Sequence, residues 1–192
     1  VITDIPEFYD MHRVSSFRKL LRRIHCKIVY HFMARVDRFI LLTEQMAVPL
    51  HVGDRPYLVM EGMCGDVADE PPVSKPQPFS MLYTGRLNRR YGLELLLQAM
   101  KELHDPDIEL WLCGSGEMEE EIRAYAAQDP RIRFFGFLPH EEAVQLQKQA
   151  TVLVNPRTNQ GEYTKYSFPS KTMEYMASGR PVMMFRLDGI PG

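Results

Sequence analysis

The chain has 192 residues, a length that accommodates one domain, or one domain with part of another. Its hydrophobic content of 45% and charged content of 25% are typical of a globular protein, and its net charge of −2 argues against nucleic acid as a partner. The three cysteines, Cys26, Cys64 and Cys113, are far apart and odd in number, so we expect reduced thiols in the cytoplasm and neither a disulfide nor a metal site. No apolar run approaches the ~18 residues that a membrane span needs.

The first third of the chain predicts a partial α/β unit. Strands are expected at VITDIP, DRFILLT and RPYLVM, a long helix at residues 15–36, and a short helix near Glu44. These elements bury too little apolar surface for an independent core of normal size. We therefore interpret residues 1–64 as the remnant of a larger N-terminal domain. Since the chain begins at Val1 and stops at DGIPG, which has the character of a loop, we expect a fragment of a longer protein.

The long predicted helix is strongly basic. The stretch from Met11 to Val36 holds seven Lys or Arg residues, three His residues and no acidic residue. Its apolar side chains form one stripe at helical spacing: Phe17, Leu20, Leu21, Ile24, Ile28 and Phe32. Two interpretations stay open. Residues 13–35 make a peripheral contact with an anionic membrane, at its inner face, or they form the solvated side of a helix packed on the rest of the N-terminal domain.

Residues 65–78, GDVADEPPVSKPQP, hold four of the fourteen prolines and predict a linker. After the linker, predicted strands alternate with helices: FSMLYTG, IELWLCG, RIRFFGF, TVLVNP and RPVMMF. The first helix has a clear apolar face, formed by Leu93, Leu96, Leu97 and Met100. Because the strands are continuously apolar, residues 79–192 predict an α/β fold with a parallel sheet covered by helices on both faces. Such sheets bind ligands at the carboxyl ends of their strands.

Two of the loops at that edge are rich in glycine. The loop TGRLNRRYG, residues 84–92, carries Arg86, Arg89 and Arg90, which either bind a phosphate through their planar guanidinium groups or form a solvated basic turn. In CGSGEMEEE, Gly114 and Gly116 precede a helix. They indicate either a tight turn or a close approach to a ligand, since G-x-G without a third glycine is a weak signal.

The third loop belongs to the stretch YSFPSKTMEYMASGRPV. Pro169 suits the first helical position, after which Ser170, Lys171 and Thr172 would present free backbone N–H groups as an anion site. Lys171 adds a positive charge there, and the Met and Ala face of the helix is expected to pack in the core. Glu174 either complements the helix dipole or accepts hydrogen bonds from sugar hydroxyls.

Taken in this order, the Gly-Arg loop, GSGEMEEEIRAYA, RIRFFGFLPHEEAVQLQKQATVLVNP and PSKTMEYMASGRPV resemble the donor-binding half of the group 1 glycosyltransferases, glycosyltransferase family 4. The resemblance covers residues 79–185. It implies the GT-B architecture, in which two Rossmann-like domains flank the active site. The segment before the linker resembles the end of that family's N-terminal domain, and the C-terminal domain is expected to be incomplete in this chain.

The resemblance also implies roles for particular residues. Arg86, with Gly85, would bind the nucleotide's diphosphate. The family's lysine in this loop is replaced by Tyr91 here, and Arg90 would substitute for it. The family's base-binding stretch, which works through main-chain groups, corresponds to Phe137 and Leu138.

In the family's acidic motif, two glutamates are separated by seven residues. Glu174 matches the second, which would hold the ribose hydroxyls, while the helix N-terminus at Ser170–Thr172 would face the diphosphate. The first glutamate is replaced by Tyr166, so the donor-sugar contact would fall to the stretch 166–168, which is Tyr166, Ser167 and Phe168. The implied catalytic residues are Arg86, Lys171 and Glu174, and fixed positive charge would stabilise the leaving diphosphate.

The resemblance implies a retaining hexosyltransferase of bacterial polysaccharide biosynthesis. It would move a sugar from a nucleoside diphosphate donor, with UDP the expected nucleotide, to a glycan or lipid-linked acceptor, without a cofactor or metal. The fragment alone is expected to be inactive. Two alternatives remain at this point. Loss of the first glutamate suits a non-catalytic nucleotide-binding subunit, and a nucleotide-sugar epimerase shares the GT-B fold.

Overall fold

The computed structural model describes residues 2–5, 16–60, 62, 78–160 and 162–190, and the side chains of 2–5, 16–20, 22, 23, 26, 162 and 163 are not among those described. The chain forms two compact units. The first contains Val1–Met63, Asn159–Phe168 and Leu187–Gly192, and the second contains Cys64–Thr158 and Pro169–Arg186. Residues 65–77 of the predicted linker lie outside the described residues.

The first unit is built on a small parallel sheet. Its elements are strand β1 (Ile2–Ile5), helix α1 (Ser16–Met33), strand β2 (Arg38–Leu41) and strand β3 (Tyr57–Val59), with short 3₁₀ helices at Glu44–Ala47 and Glu162–Tyr166. The strands lie in the order β1-β2-β3, and all described pairs are parallel. Seven buried apolar side chains form its core: Met33, Val36, Phe39, Leu41, Met46, Leu50 and Val52.

The second unit contains a five-stranded parallel sheet within the described residues. Its strands are β4 (Phe79–Arg86), β5 (Ile108–Ser115), β6 (Ile132–Gly136), β7 (Val152–Asn155) and β8 (Val182–Met184), and its helices are α2 (Leu93–Glu102), α3 (Glu119–Gln128), α4 (His140–Gln149) and α5 (Ser170–Ala177). A 3₁₀ turn lies at Arg89–Tyr91. The strand order is β6-β5-β4-β7-β8. The chain therefore runs outward from β4 in one direction and then in the other, which makes the β4–β7 boundary the topological switch point where such folds bind ligands.

Helices cover both faces of this sheet, as the apolar strands predict. On one face, Met81 and Tyr83 of β4 pack with the apolar sides of α2 and α3. On the other, Leu82 packs with residues of α4 and α5. The four positions predicted to form the buried face of α2, Leu93, Leu96, Leu97 and Met100, are all buried.

The two glycines at the end of β5 accommodate close backbone contacts. Gly114 lies opposite Gly85 of β4, and its φ of +142° together with the proximity of the Gly85 oxygen leaves no room for a Cβ atom. A Cβ on Gly116 would lie 2.6 Å from the Leu87 oxygen. These close contacts explain why glycine occupies both positions of the G-x-G motif, and they agree with its interpretation as a tight turn.

The start and the buried face of α5 differ from the expectations. The helix begins at Ser170, and Pro169 precedes it in an extended conformation (φ −71°, ψ 103°) rather than occupying the first helical position. The predicted core face of Met and Ala is also wrong in part, because Met176 is 64% exposed, while Tyr175 is 1% exposed. The Tyr175 ring is buried because its hydroxyl finds hydrogen-bond partners on β4.

Candidate functional site

A tyrosine of α5, Tyr175, is hydrogen-bonded to the backbone of β4 near the switch point. The pairing between β4 and β7 joins Met81 with Val152 and Leu82 with Leu153. Thr84 lies two residues beyond Leu82 on β4. The Tyr175 hydroxyl of α5 accepts a hydrogen bond from the Thr84 N–H at 2.8 Å and donates one to the Thr84 carbonyl at 3.0 Å. Burial raises the pKa of Tyr175 to about 12, with the Thr84 hydrogen bonds opposing that shift. The phenol therefore remains neutral near pH 7 and keeps its donor.

A buried amide connects this point to the predicted ribose-binding carboxylate. The Gln147 Nε2 atom donates to Thr84 Oγ1 at 3.0 Å and to Glu174 Oε1 at 2.5 Å. The Lys171 ammonium donates to both carboxylate oxygens, at 3.0 and 3.2 Å. Burial alone would raise the pKa of Glu174. Hydrogen bonds from Gln147 and Lys171 outweigh burial and hold the pKa below its usual value, so the carboxylate is ionised near pH 7.

The three arginines of the loop after β4 have different surroundings. Arg89 forms ion pairs with Glu94 and, at 2.5 Å, with Glu121. Arg90 lies over the Tyr91 ring and donates to its hydroxyl at 2.6 Å. Arg86 is exposed, and no hydrogen bond or ion pair of its guanidinium occurs within the part of the chain that the structure describes. Arg86 is therefore the arginine of this loop best able to accept an anion.

The N-terminus of α5 offers fewer backbone donors than expected. The Thr172 N–H donates to the Pro169 oxygen at 2.8 Å, and the Thr172 hydroxyl lies 3.4 Å from Asn155 Nδ2. The expectation of a free N–H at Thr172 is therefore wrong, because this N–H is already hydrogen-bonded to the Pro169 carbonyl three residues earlier. For Ser170 and Lys171, no backbone partner of the N–H occurs among the described residues.

The predicted base-binding stretch follows β6. Phe137 is 74% exposed, whereas Leu138 packs against the core on the α4 side of the sheet. Burial raises the pKa of the neighbouring Cys113 thiol, while a hydrogen bond from the Leu138 backbone and the Lys171 charge act in the opposite direction. This stretch and Lys171 therefore lie near the same buried thiol, at the carboxyl end of β5.

Tyr166, Ser167 and Phe168 belong to the first unit. Tyr166 packs against that unit's apolar core, and the Lys165 carbonyl accepts a hydrogen bond from Thr43 Oγ1 at 2.8 Å. The contact of residues 166–168 with a donor sugar stays a prediction.

The described residues contain neither a metal-binding cluster nor a helix suited to a membrane span. No group of three or more His, Cys, Asp or Glu side chains there is arranged to hold a metal ion. None of the helices in the described ranges combines the length and apolar character that crossing a bilayer requires.

Gln147 was not singled out from the sequence, although a signal for it exists. The neighbouring positions Ala143, Leu146 and Ala150 are buried at helical spacing, and Gln147 lies on the same face with no exposed surface. A polar residue on an apolar helix face must find hydrogen bonds inside the protein. That mismatch could have directed attention to this amide.

Comparison of the sequence with known proteins gives a family match over its C-terminal part. The family model described as Glycosyl transferases group 1 matches residues 78–192. A D-inositol 3-phosphate glycosyltransferase from Corynebacterium diphtheriae is 34% identical over 122 residues, which are 58% of this chain and 27% of the relative. The amylovoran biosynthesis glycosyltransferase AmsK from Erwinia amylovora is 27% identical over 60% of this chain and 30% of the relative. The chain thus spans less than a third of the length of these relatives.

Solved structures share the fold at low sequence identity. Anabaena HepE in complex with UDP has a TM-score of 0.65 and 15% identity, and the match covers 98% of this chain and 54% of HepE. The pneumococcal O-GlcNAc transferase GtfA, solved with UDP and GlcNAc, has a TM-score of 0.61 and 21% identity, covering 85% of this chain and 32% of GtfA. The parallel sheet with helices on both faces is the Rossmann-like half of the GT-B fold, and with the family match over residues 78–192 it shows that this chain belongs to the group 1 glycosyltransferases.

Proposed function

We propose that the protein to which this chain belongs is a retaining glycosyltransferase that moves a hexose from a UDP-linked donor to a glycan or lipid-linked acceptor in polysaccharide biosynthesis. One observation carries the proposal. At the carboxyl end of β4, Arg86 is exposed and its guanidinium has no partner among the described residues. Arg86 lies two residues after Thr84, whose hydroxyl accepts a hydrogen bond from Gln147. The same Gln147 amide donates to the ionised carboxylate of Glu174. A cation and a carboxylate at the switch point suit a nucleotide's diphosphate and ribose. The family match and the names of the relatives do not favour an epimerase or a non-catalytic subunit.

Arg86 has the main role at the diphosphate in this proposal. Its planar guanidinium can donate to two phosphate oxygens at once. Tyr83 Oη donates to the Arg86 carbonyl at 2.9 Å and so fixes the backbone from which this side chain extends. Arg90 and the Ser170–Lys171 end of α5 would add positive potential, with Thr172 contributing through its place in the first turn. Charge placed in advance stabilises a leaving diphosphate without proton transfer.

Glu174 would accept hydrogen bonds from the ribose hydroxyls, and the backbone at Phe137 and Leu138 would bind the base. Lys171 pairs with Glu174 in the structure, so a bound diphosphate would compete with the carboxylate for the ammonium. In the whole protein we propose an N-terminal acceptor-side domain represented here by residues 1–64, a linker at 65–78 and a donor-binding domain from residue 79.

Calorimetric titration with UDP, GDP and ADP tests the donor class. We expect UDP to bind most tightly to the chain, and the whole protein to convert a UDP-hexose to UDP and a glycosylated acceptor with retained anomeric configuration. Equal binding of all three nucleotides would contradict the choice of UDP. Release of UDP and free sugar without a glycosylated acceptor would contradict transfer.

Glu174→Gln is expected to weaken UDP binding several-fold without loss of the fold. The substitution keeps the shape of the side chain but converts charge-assisted hydrogen bonds to ribose into neutral ones, which are about half as strong. Tyr166→Phe should leave UDP affinity unchanged and affect only the intact UDP-sugar. Calorimetry with both ligands on both variants checks the pair. Parent-like UDP binding by Glu174→Gln, or loss of UDP binding by Tyr166→Phe, would contradict the assigned register of this motif.

We further propose that α1 attaches the protein to an anionic membrane. Four apolar residues of this helix are about half exposed, Leu21 at 51%, Ile24 at 48%, Ile28 at 51% and Phe32 at 59%. Residues 11–36, which include this helix, hold seven Lys or Arg residues and no acidic residue. An apolar stripe flanked by lysine and arginine is the pattern of a helix that lies in a bilayer surface. Arg13, and the side chains of Arg18, Lys19, Arg22 and Arg23, lie outside what the structure describes.

Reversing the charge of these five residues should abolish flotation with vesicles that contain anionic lipid. Each Lys or Arg near such a surface contributes about 1 kcal/mol, in a salt-sensitive manner. A control variant reverses two exposed arginines of the second unit, Arg123 and Arg133, and should float like the parent. Flotation of the helix variant at the parent level would show that the basic residues of α1 serve another contact.

A further inference from the structure

Gln147 differs from the other two glutamines of α4. Gln145 and Gln149 are exposed, whereas Gln147 has no exposed surface. Its amide bridges two elements of the candidate site, because the same nitrogen donates to Thr84 of β4 and to Glu174 of α5. The buried position is therefore occupied by a group that contacts the predicted ligand-binding carboxylate directly.

The orientation of this amide is determined by Glu174. The Gln147 oxygen is buried and has no hydrogen-bond partner among the described residues. Reversing the amide would bring that oxygen against the ionised carboxylate, and two acceptors repel each other. An apolar side chain of similar size would avoid the unsatisfied oxygen altogether. The Gln147 amide is therefore not required for packing of the core, and its hydrogen bond serves the Glu174 carboxylate.

The two carboxylate oxygens of Glu174 accept different numbers of hydrogen bonds. Oε1 accepts from Gln147 and from Lys171, while Oε2 accepts only from Lys171 among the described residues, at 3.2 Å. Each carboxylate oxygen has two lone pairs, so Oε2 retains acceptor capacity. The Gln147 bond also fixes the rotation of the carboxylate, since Thr84 holds the amide from the other side.

We propose that Gln147 is a positioning residue that holds the Glu174 carboxylate with Oε2 available to a ligand hydroxyl. The inference rests on the proposed role of Glu174 at the ribose and adds to it a buried residue that never touches the nucleotide. A fixed carboxylate loses less rotational freedom when it binds a diol than a mobile one does. Gln147 therefore increases the contribution of the ribose hydroxyls to binding.

The test compares UDP with 2′,3′-dideoxy-UDP, which lacks both ribose hydroxyls, on Gln147→Met. Methionine is unbranched, similar in size and a good helix former, but donates no hydrogen bond. We expect UDP affinity to fall by roughly three- to tenfold, the scale of one modest hydrogen-bond contribution, with dideoxy-UDP affinity unchanged. The midpoint of thermal unfolding should stay close to the parent value, because removal of the unsatisfied amide oxygen offsets the loss of the two Gln147 hydrogen bonds. Gln145→Met, at an exposed position of the same helix, should match the parent with both ligands.

Several results would overturn the proposal. An equal loss for both nucleotides would show general damage to the site, and unchanged affinity for UDP would show that Gln147 does not act on Glu174. If Gln147→Met does not fold, Gln147→Leu repeats the comparison, and unfolding of both apolar variants would assign the amide to core stability instead. If the parent itself binds UDP and dideoxy-UDP equally, the ribose role of Glu174 fails and this inference fails with it. A parent preference for UDP over dideoxy-UDP that is undiminished in Gln147→Met contradicts the positioning role alone.

Discussion

Arg86→Ala is expected to weaken UDP binding by about ten- to a hundredfold. Hydrogen bonds to charged groups contribute about 1.5–3 kcal/mol, and every 1.4 kcal/mol corresponds to a factor of ten in Kd. Arg86 is exposed in the described structure and makes no ion pair there that its removal would break. The loss of affinity should therefore occur without a loss of stability. Isothermal calorimetry, with urea unfolding in parallel, measures both quantities.

Arg123→Ala is the matched control for this experiment. It removes the same charge from an exposed arginine of α3 whose ion pair with Glu119 is made on the helix surface. An exposed pair of this kind contributes little to stability. Unchanged UDP affinity in Arg86→Ala, or an equal loss in Arg123→Ala, would mean that the phosphate site lies elsewhere or that binding depends only on net charge.

Gly114→Ala should lower the free energy of unfolding by at least about 3 kcal/mol. The φ of +142° is strained for alanine, and a Cβ atom there overlaps the carbonyl of Gly85 on the adjacent strand. The Cβ atom is bonded directly to the backbone of β5 and the carbonyl belongs to the backbone of β4, so the overlap can be relieved only by separating the two strands. Because typical domains are stable by only about 5–15 kcal/mol, the change removes a large part of the total. Urea unfolding of the second unit measures it.

Gly136→Ala separates the two causes of this loss. Gly136, at the end of β6, also has a positive φ, +68°, but a Cβ atom added there would meet no atom within 4 Å. Its substitution should cost only the backbone strain, about 1–2 kcal/mol. Similar losses for both variants would show that the contact between the Gly114 and Gly85 backbones is not the reason for the glycine.

The elements of the second unit could be predicted because each apolar pattern has a local physical cause. The strands are continuously apolar since helices cover both faces of a parallel sheet. The face of α2 follows from one helical period, and all four of its predicted residues are buried. The same argument predicts helix α1, but periodicity identifies an apolar face without showing what packs against it. Four residues of that face are about half exposed in the described structure: Leu21, Ile24, Ile28 and Phe32.

The candidate site could be predicted only in part. Arg86 and Glu174 were singled out because their residue types and loop positions carry information by themselves. The ion pairs that occupy Arg89 depend on how α2 and α3 pack beside the loop, which one sequence does not show. The bridge through Gln147 likewise requires α4, β4 and α5 to meet. Interactions among elements far apart in the chain were therefore the part that the sequence did not reveal.

The composition of the first unit has a consequence for synthesis and for dissection of the protein. Residues 159–168 and 187–192 belong with residues 1–63, so the polypeptide passes from one unit to the other at four places. Within the first unit, Gln45 donates to the Asp188 carbonyl at 3.0 Å, which joins positions 143 residues apart, and a Cβ on Gly189 would lie 2.7 Å from the Thr164 oxygen. Residues 64–186 must therefore be synthesised before Asp188 can contact Gln45 in the first unit. A cut in residues 65–77 would separate residues 1–63 covalently from residues 159–168 and 187–192 of the same unit. The two fragments should then stay together through the non-covalent contacts within the first unit, such as those of Thr43 with Lys165 and of Gln45 with Asp188, until they are denatured.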